Sequence, residues 1–239
     1  MSFGICDLPA IAIRKEDSHT SEMVSQLLYN ELYEKLDEKS SWILIRTEID
    51  HYEGWIQSIQ YHPISDQEYL ELKGKKWHII NKPVLNWQGI HLSIGTILYE
   101  PSDYATVFPD EFSPAMMVDF AKKLLGAPYL WGGRSLFGID CSGLVQLCAR
   151  AAGKLLPRDA SEQIKEGELV YFLPEIQPGD LAFFGNEEGK IVHVGIMIDN
   201  EHIIHSSGKV RIDYLDQTGI FNKERNEHTH RLQVIKRIV

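Results

Sequence analysis

Apolar and polar residues alternate in short bursts through the first half of the chain, at Ala10–Arg14, Trp42–Thr47, Gly54–Ile59, Trp77–Ile80 and Gly95–Tyr99. A period of two over a few residues is the pattern of a half-buried strand. Polar turns such as Asp50-His51-Tyr52-Glu53-Gly54 separate the bursts, and the region is predicted to form small β-barrels. Ser21–Leu28 breaks the alternation and suits a helical turn, while Glu31–Leu36 fits strand or helix equally. Pro63 and the polar run Ser65–Lys76 mark a seam. A first barrel is therefore expected over residues 1–62, and a second barrel or linker unit over 63–112.

The texture changes near residue 113. Ser113-Pro114 caps a predicted helix over Ala115–Leu125, which Gly126 ends. A second helix opens at Cys141, with apolar residues at Leu144, Val145, Cys148, Ala151 and Ala152 on one face and Gly153 as its stop. Strands are predicted at Leu169–Phe172, Leu181–Gly185, Ile191–Ile198, His202–Ser206, Val210–Tyr214 and Leu232–Ile238. Helices followed by a run of antiparallel strands define an α+β domain over residues 113–239.

Cys141 lies in the run Gly138-Ile139-Asp140-Cys141-Ser142-Gly143-Leu144-Val145, at the start of its helix. The first turn of a helix holds unpaired N–H groups and the positive end of the dipole. Both favour thiolate, the nucleophilic form. The competing reading is a small buried core cysteine. His193 and His205 stand in consecutive predicted strands, and their position numbers share parity. An odd-numbered or bulged connection sets them opposite each other on one face, whereas a two-residue loop sets them on opposite faces. With the odd connection, one imidazole can serve as base and the other can orient it. His202 falls on the other face, and the remaining histidines show no partner pattern.

Charge narrows the classes of function. The chain has 239 residues, a net charge of −10 and ordinary globular composition, 44% hydrophobic and 24% charged. An acidic protein lacks the basic surface that engages nucleic acid or anionic lipid, and no apolar run is long enough to span a bilayer. Three cysteines, Cys6, Cys141 and Cys148, form neither a CxxC pair nor a zinc spacing. Cys148 reads as core and Cys6 as structural. No metal or cofactor is implied. Five residues precede Cys6, too few for a leader. The chain as written is expected to be cytoplasmic, or periplasmic or cell-surface if a leader has been removed.

A cysteine on a helix packed against a sheet that carries the histidine is the arrangement of papain-like peptidases. The C-terminal half resembles the NlpC/p60 family of cysteine peptidases. The resemblance rests on Tyr129-Leu130-Trp131-Gly132-Gly133, Asp140-Cys141-Ser142-Gly143-Leu144-Val145, Leu156-Pro157-Arg158-Asp159 with Gln163, Pro178-Gly179-Asp180-Leu181, His193-Val194-Gly195-Ile196 and His205-Ser206-Ser207-Gly208, in family order. The N-terminal half resembles the bacterial SH3-like domains that precede such catalytic domains, through Ile13-Arg14-Lys15-Glu16, Ser21-Glu22-Met23 and Tyr52-Glu53-Gly54-Trp55. This layout is similar to peptidases that trim murein peptides bearing a free N-terminus.

The resemblance implies cleavage of the amide between the γ-carboxyl of D-glutamate and an L-diamino acid. It implies Cys141 as nucleophile, His193 as base and then acid, and His205 as the orienting group, the roles that the residues themselves suggested. Tyr129 and Trp131 flank the site in this picture, and Ser142 follows the nucleophile. Arg158 is expected to hold the free α-carboxylate of D-Glu; the alternative is a surface arginine paired with Asp159. The family often has a hydroxyl two residues after this arginine. Here Ala160 occupies that place and Ser161 follows, so either Ser161 substitutes or Arg158 acts alone. A free L-Ala amine calls for a cage, with Asp140, Tyr52 and Glu22 as candidates. The expected partner is a short murein peptide. The alternatives are thiol-dependent acyl transfer on the same fold and a non-catalytic wall-binding protein.

Overall fold

In a computed structural model, residues 2–239 are described and divide into two compact units. One comprises residues 2–108 with 131–137, and the other residues 109–130 with 138–239.

In the first unit, seven antiparallel strands run in the order Met23–Leu28, Ala10–Arg14, Glu53–Gln57, Trp42–Thr47, Leu32–Lys39, Ser2–Ile5, Pro63–Ile64. Their inward residues Ile11, Ile13, Leu27, Tyr33, Ile43, Ile45 and Ile56 join Cys6 in one apolar core. Alternation placed these side chains inside, because successive residues of a strand point to opposite faces. Met23–Leu28 is a strand, not a helical turn: it pairs with Ala10–Arg14, and a register shift near Arg14 disrupts its alternation. The undecided segment is strand Leu32–Lys39. Cys6 is buried, and its thiol donates to the Leu8 carbonyl at 3.2 Å.

The polar run after Pro63 is a helix, Asp66–Lys73, capped by the Ser65 hydroxyl, which accepts from Glu68 N–H. Beyond it lie a three-stranded sheet, Ile97–Leu98, His78–Ile80 and Ala105–Val107, and a hairpin, Val84–Trp87 with Ile90–Ser93. The hairpin turns at Gln88-Gly89, both at positive φ (49° and 89°), as a tight two-residue turn requires. Leu85, Leu92, Ile80 and Leu98 form its small core. Residues 63–108 thus contribute a last strand to the large sheet, a helix and then small sheets, all within the first unit, which also takes in residues 131–137.

Those seven residues are bound firmly. Arg134 and Glu31, each 2% exposed, form a forked ion pair at 3.0 and 3.1 Å, and Arg134 also donates to the Gln26 carbonyl. Glu31 in turn accepts from Leu28 N–H at 3.0 Å.

The second unit begins with helix Pro114–Lys122, whose Ser113 cap accepts from Met116 N–H. Helix Cys141–Ala151 follows and packs against strand Ile191–Met197. The strand order is Glu168–Val170, Glu227–Arg237, Leu181–Gly185, Ile191–Met197, His202–Ser207, Lys209–Leu215, Gly219–Asn222. Gly219–Asn222 pairs back onto Glu227–Arg237, so six strands close on themselves. Pro178-Gly179-Asp180 is structural: Asp180 holds Arg237 at 2.8 and 2.9 Å and accepts from Gln177 N–H.

Removing Arg134 strands a buried carboxylate, which costs about 3–5 kcal/mol. Urea unfolding of the full chain is expected to show Arg134→Met destabilised by that amount. Pairing it with Glu31→Gln should recover most of the loss.

Candidate active site

Asp140 starts the cysteine helix. Its backbone is extended, and its carboxylate accepts from Gly143 N–H at 2.7 Å, an N-cap that places Cys141 in the first turn. The same carboxylate receives Arg158 at 2.6 and 3.1 Å, and Arg158 also donates to Ser142 Oγ at 2.9 Å. Arg158 is therefore paired with Asp140 and, at 2% exposed, is not a surface arginine. Gln163 is fully buried and ties this segment down by donating to the carbonyls of Ser142 and Pro157. Ser161 lies exposed in the short helix Ala160–Gln163.

Cys141 is 7% exposed. The backbone N–H groups of Val194, on the neighbouring strand, and of Ser142, in the first turn of the helix, favour its thiolate form. Burial outweighs them. Aided by the Asp140 carboxylate and opposed also by Arg158, it pushes the thiol up to about 11. The resting group is thus a thiol and not the expected thiolate. Tyr129 is half-buried in the same electrostatic environment; burial, then Cys141 and Asp140, push its phenol up to about 12.

The two histidines meet across the hairpin. Ile198 N–H bonds to the His202 carbonyl, leaving the three-residue turn Asp199-Asn200-Glu201. This is the odd-numbered connection that parity demanded. The register differs by one pair from the expectation: Gly195, not His193, stands opposite His205. His193 lies diagonally, on the same face, within reach of a ring. Its Nε2 and His205 Nδ1 are 2.8 Å apart. Gly195 makes room for this lean, since a Cβ there would lie 2.9 Å from His205 Cβ and 2.7 Å from Ile203 Cδ1. His202 faces outward, paired with Asp199. Ser206 Oγ donates to the Ile139 carbonyl at 2.7 Å and ties the hairpin to the segment that leads into Cys141.

The chain of polar contacts continues. His205 Nε2 meets Asp213 Oδ2 at 3.1 Å, and Arg211 clamps Asp213 at 2.7 and 3.0 Å. Burial works against the Asp213 carboxylate, but the hydrogen bonds from His205 and Arg211 outweigh it and hold its pKa below the ordinary value. A carboxylate only accepts, so neutral His205 carries its proton on Nε2. Its Nδ1 then accepts from His193 Nε2–H, and His193 keeps a lone pair on Nδ1. Burial, followed by the neighbouring His230 and His205, holds His193 well below its ordinary 6.5. This histidine is a neutral base whose tautomer is set from behind.

Two residues of this group escaped sequence reasoning. Asp213 shares parity with His205 and Arg211, and the pairing of His205 with Arg211 sets Asp213 on the diagonal; the same counting rule finds it. His230 stacks on His193 with ring centroids 4.1 Å apart and planes 25° from parallel. It follows an irregularity at Thr229, where Ile220 pairs with His230 and Phe221 with His228. Simple alternation therefore misplaces it.

Of the remaining expected residues, Glu22, Tyr52 and Trp131 belong to the first unit. Glu22 accepts from Trp131 Nε1–H at 2.7 Å. Gly132, at φ 78°, lets that segment approach: a Cβ there would lie 2.4 Å from the Met23 carbonyl oxygen. Tyr52 N–H donates to Thr47 Oγ1 at 2.8 Å. Asp140, Cys141, Ser142, Arg158, Tyr129, His193 and His205 belong to the second unit.

Comparison with known proteins follows this division. Residues 126–229 match the NlpC/P60 family, and residues 13–60 match the bacterial dipeptidyl-peptidase SH3 domain. A gamma-D-glutamyl-L-lysine dipeptidyl-peptidase of Bacillus subtilis is 36% identical over 151 residues, 59% of this chain and 50% of that protein. The chain thus spans about half the length of this curated relative. Dipeptidyl-peptidase 6 of Lysinibacillus sphaericus is 25% identical over 243 residues, 82% of this chain and 86% of the relative. The crystal structure of an NlpC/P60 family protein from Bacillus cereus superposes with a TM-score of 0.82 over 99% of both chains at 19% identity, a likeness of fold.

Two measurements test the site. The rate of inactivation by iodoacetamide is expected to climb with pH toward the thiol value of about 11, without a plateau in the acid-to-neutral range; such a plateau means a preformed ion pair. Gly195→Ala is expected to part the two imidazoles, costing about 1–3 kcal/mol in stability by overpacking. The His193–His205 imidazole proton resonance should be lost with it.

Proposed function

We propose that this chain, whose residues 126–229 match the NlpC/P60 family and whose residues 13–60 match the bacterial dipeptidyl-peptidase SH3 domain, is a cysteine peptidase acting on murein peptides. The bond it cuts in this reading joins the γ-carboxyl of D-glutamate to an L-diamino acid, in short peptides with a free N-terminal L-Ala. The observation that carries the reading is the proton-holding chain from Arg211 through Asp213 and His205 to His193. It supplies a neutral base on strand Ile191–Met197, against which the helix that opens at Cys141 packs. The names of the two relatives support the substrate class.

The reaction follows from the resting protonation states. His193 Nδ1 takes the thiol proton as Cys141 Sγ attacks the γ-carbonyl carbon. The Cys141 N–H, a first-turn amide that the helix cannot use internally, stabilises the developing oxyanion. The imidazolium then protonates the leaving α-amine of the diamino acid, and the C–N bond breaks to leave a thioester. Water, deprotonated by His193, cleaves the thioester, releases L-Ala-D-Glu and returns the thiol. Asp213 stabilises the transient charge through His205, as an orienting carboxylate does for a catalytic histidine.

Recognition rests on the Asp140–Arg158 pair. The substrate carries an ammonium on L-Ala and a carboxylate on D-Glu. A zwitterion can engage both members of an ion pair, ammonium to Asp140 and carboxylate to Arg158, without leaving a buried charge uncompensated. An acetylated N-terminus forfeits half of this exchange.

Mass spectrometry of products from L-Ala-γ-D-Glu-diaminopimelate, beside its N-acetylated form, tests the proposal. Release of L-Ala-D-Glu from the free peptide alone is the expected result. Equal cleavage of both keeps the hydrolase and removes amine recognition; cleavage of neither removes the hydrolase.

A further inference from the structure

Three imidazoles converge in the second unit. One nitrogen from each of His193, His205 and His230 lies within 4.8 Å of the other two. The rings meet at steep angles for His193–His205 (88°) and His205–His230 (81°). The reading above uses His193 and His205, while His230 is left over. Two of the three nitrogens not aimed at the cluster have partners. His205 Nε2 holds Asp213, and His230 Nδ1 lies 2.8 Å from Thr229 Oγ1. A ligand histidine whose second nitrogen is held by a carboxylate or another oxygen is the usual support of a bound transition metal.

We propose that His193 Nε2, His205 Nδ1 and His230 Nε2 form a binding site for a zinc-like divalent cation, and that its occupation switches the base off. Zinc bonds imidazole nitrogen at about 2.0–2.1 Å, so tetrahedral donors sit roughly 3.3 Å apart. The His193–His205 pair, at 2.8 Å, has to open slightly. The His230 ring has to turn out of its stack about one side-chain bond. His193 and His205 are 5% and 1% exposed, whereas His230 is only half-buried and offers the way in. Three protein ligands leave a fourth position for water.

The consequence for catalysis follows from proton bookkeeping and rests on the peptidase reading. His193 carries its single ring proton on Nε2 and offers Nδ1 as base. A cation on Nε2 displaces that proton, and the neutral ring then holds its proton on Nδ1. No lone pair remains to accept the thiol proton. The inhibition needs no cysteine–metal bond, which separates it from ordinary capture of a thiol by zinc.

The test therefore removes the thiol. Chelator-stripped full-length Cys141→Ser protein is titrated with zinc by calorimetry, and cobalt(II) is followed by absorption. One equivalent is expected to bind, with a tetrahedral cobalt spectrum. His230→Phe in the same background keeps an aromatic ring beside His193 but no ligand, and should lose tenfold or more in affinity with unchanged circular dichroism. Asp213→Asn should weaken binding by about 10–100-fold. His202→Gln, at the separate surface pair with Asp199, should change nothing. Zinc uptake that is equal in the His230→Phe protein, or that requires Cys141, overturns the proposal. These binding arms stand even if no peptide is cleaved. In cleavage-competent protein, zinc should inhibit at the concentration at which it binds, and a chelator should restore the rate.

Discussion

The hydrogen bond between His193 and His205 is the contact around which the second unit is organised. It exists only because strands place alternate residues on one face and because the turn between these two has three residues. A two-residue turn would send one imidazole to the opposite side of the sheet. The same rule, applied to the next strand, sets Asp213 behind His205. Three neighbouring strands thus hand one orientation across the sheet, each side chain leaning diagonally to the next. The bare Cα of Gly195 leaves space for that lean.

Electrostatically, the site is built to be neutral at rest. Burial raises the thiol and lowers the imidazole beside it, so neither carries charge until both act. The charges that are present are matched in place: Asp140 by Arg158, and Asp213 by Arg211. A buried ion pair adds little to stability, because desolvation consumes much of its attraction. Its value lies in arrangement. The Asp140 carboxylate caps the helix that carries Cys141 through Oδ1 and anchors Arg158 through both of its oxygens.

Much of this was legible in the sequence, for specific reasons. The cysteine helix announced itself through its apolar face and its terminal glycine, and the histidine pairing through parity. Helix Asp66–Lys73 did not, because it is polar nearly all round and buries only Tyr69. Its sole local sign was Ser65 followed by Glu68, a capping pattern without a hydrophobic stripe. Met23–Leu28 was obscured by a register shift, and His230 by the irregularity at Thr229. Both interruptions change the count on which alternation depends. The Asp140–Arg158 contact joins residues 18 apart in sequence, a tertiary fact that no local pattern encodes.

Closure of the second sheet has a bearing beyond catalysis. Glu227–Arg237 is long enough to pair with Leu181–Gly185 along one stretch and with Gly219–Asn222 along another. It also takes up Glu168–Val170, a strand of three residues. Exposed strand edges are templates on which a second chain can add a strand, the first step of many aggregates. Among the described residues, this sheet offers no long continuous edge of that kind. The geometry that holds three imidazoles in one place also denies a neighbouring molecule a row of open backbone hydrogen bonds. A unit built this way should stay dispersed at concentrations where an open sheet of the same composition begins to stack.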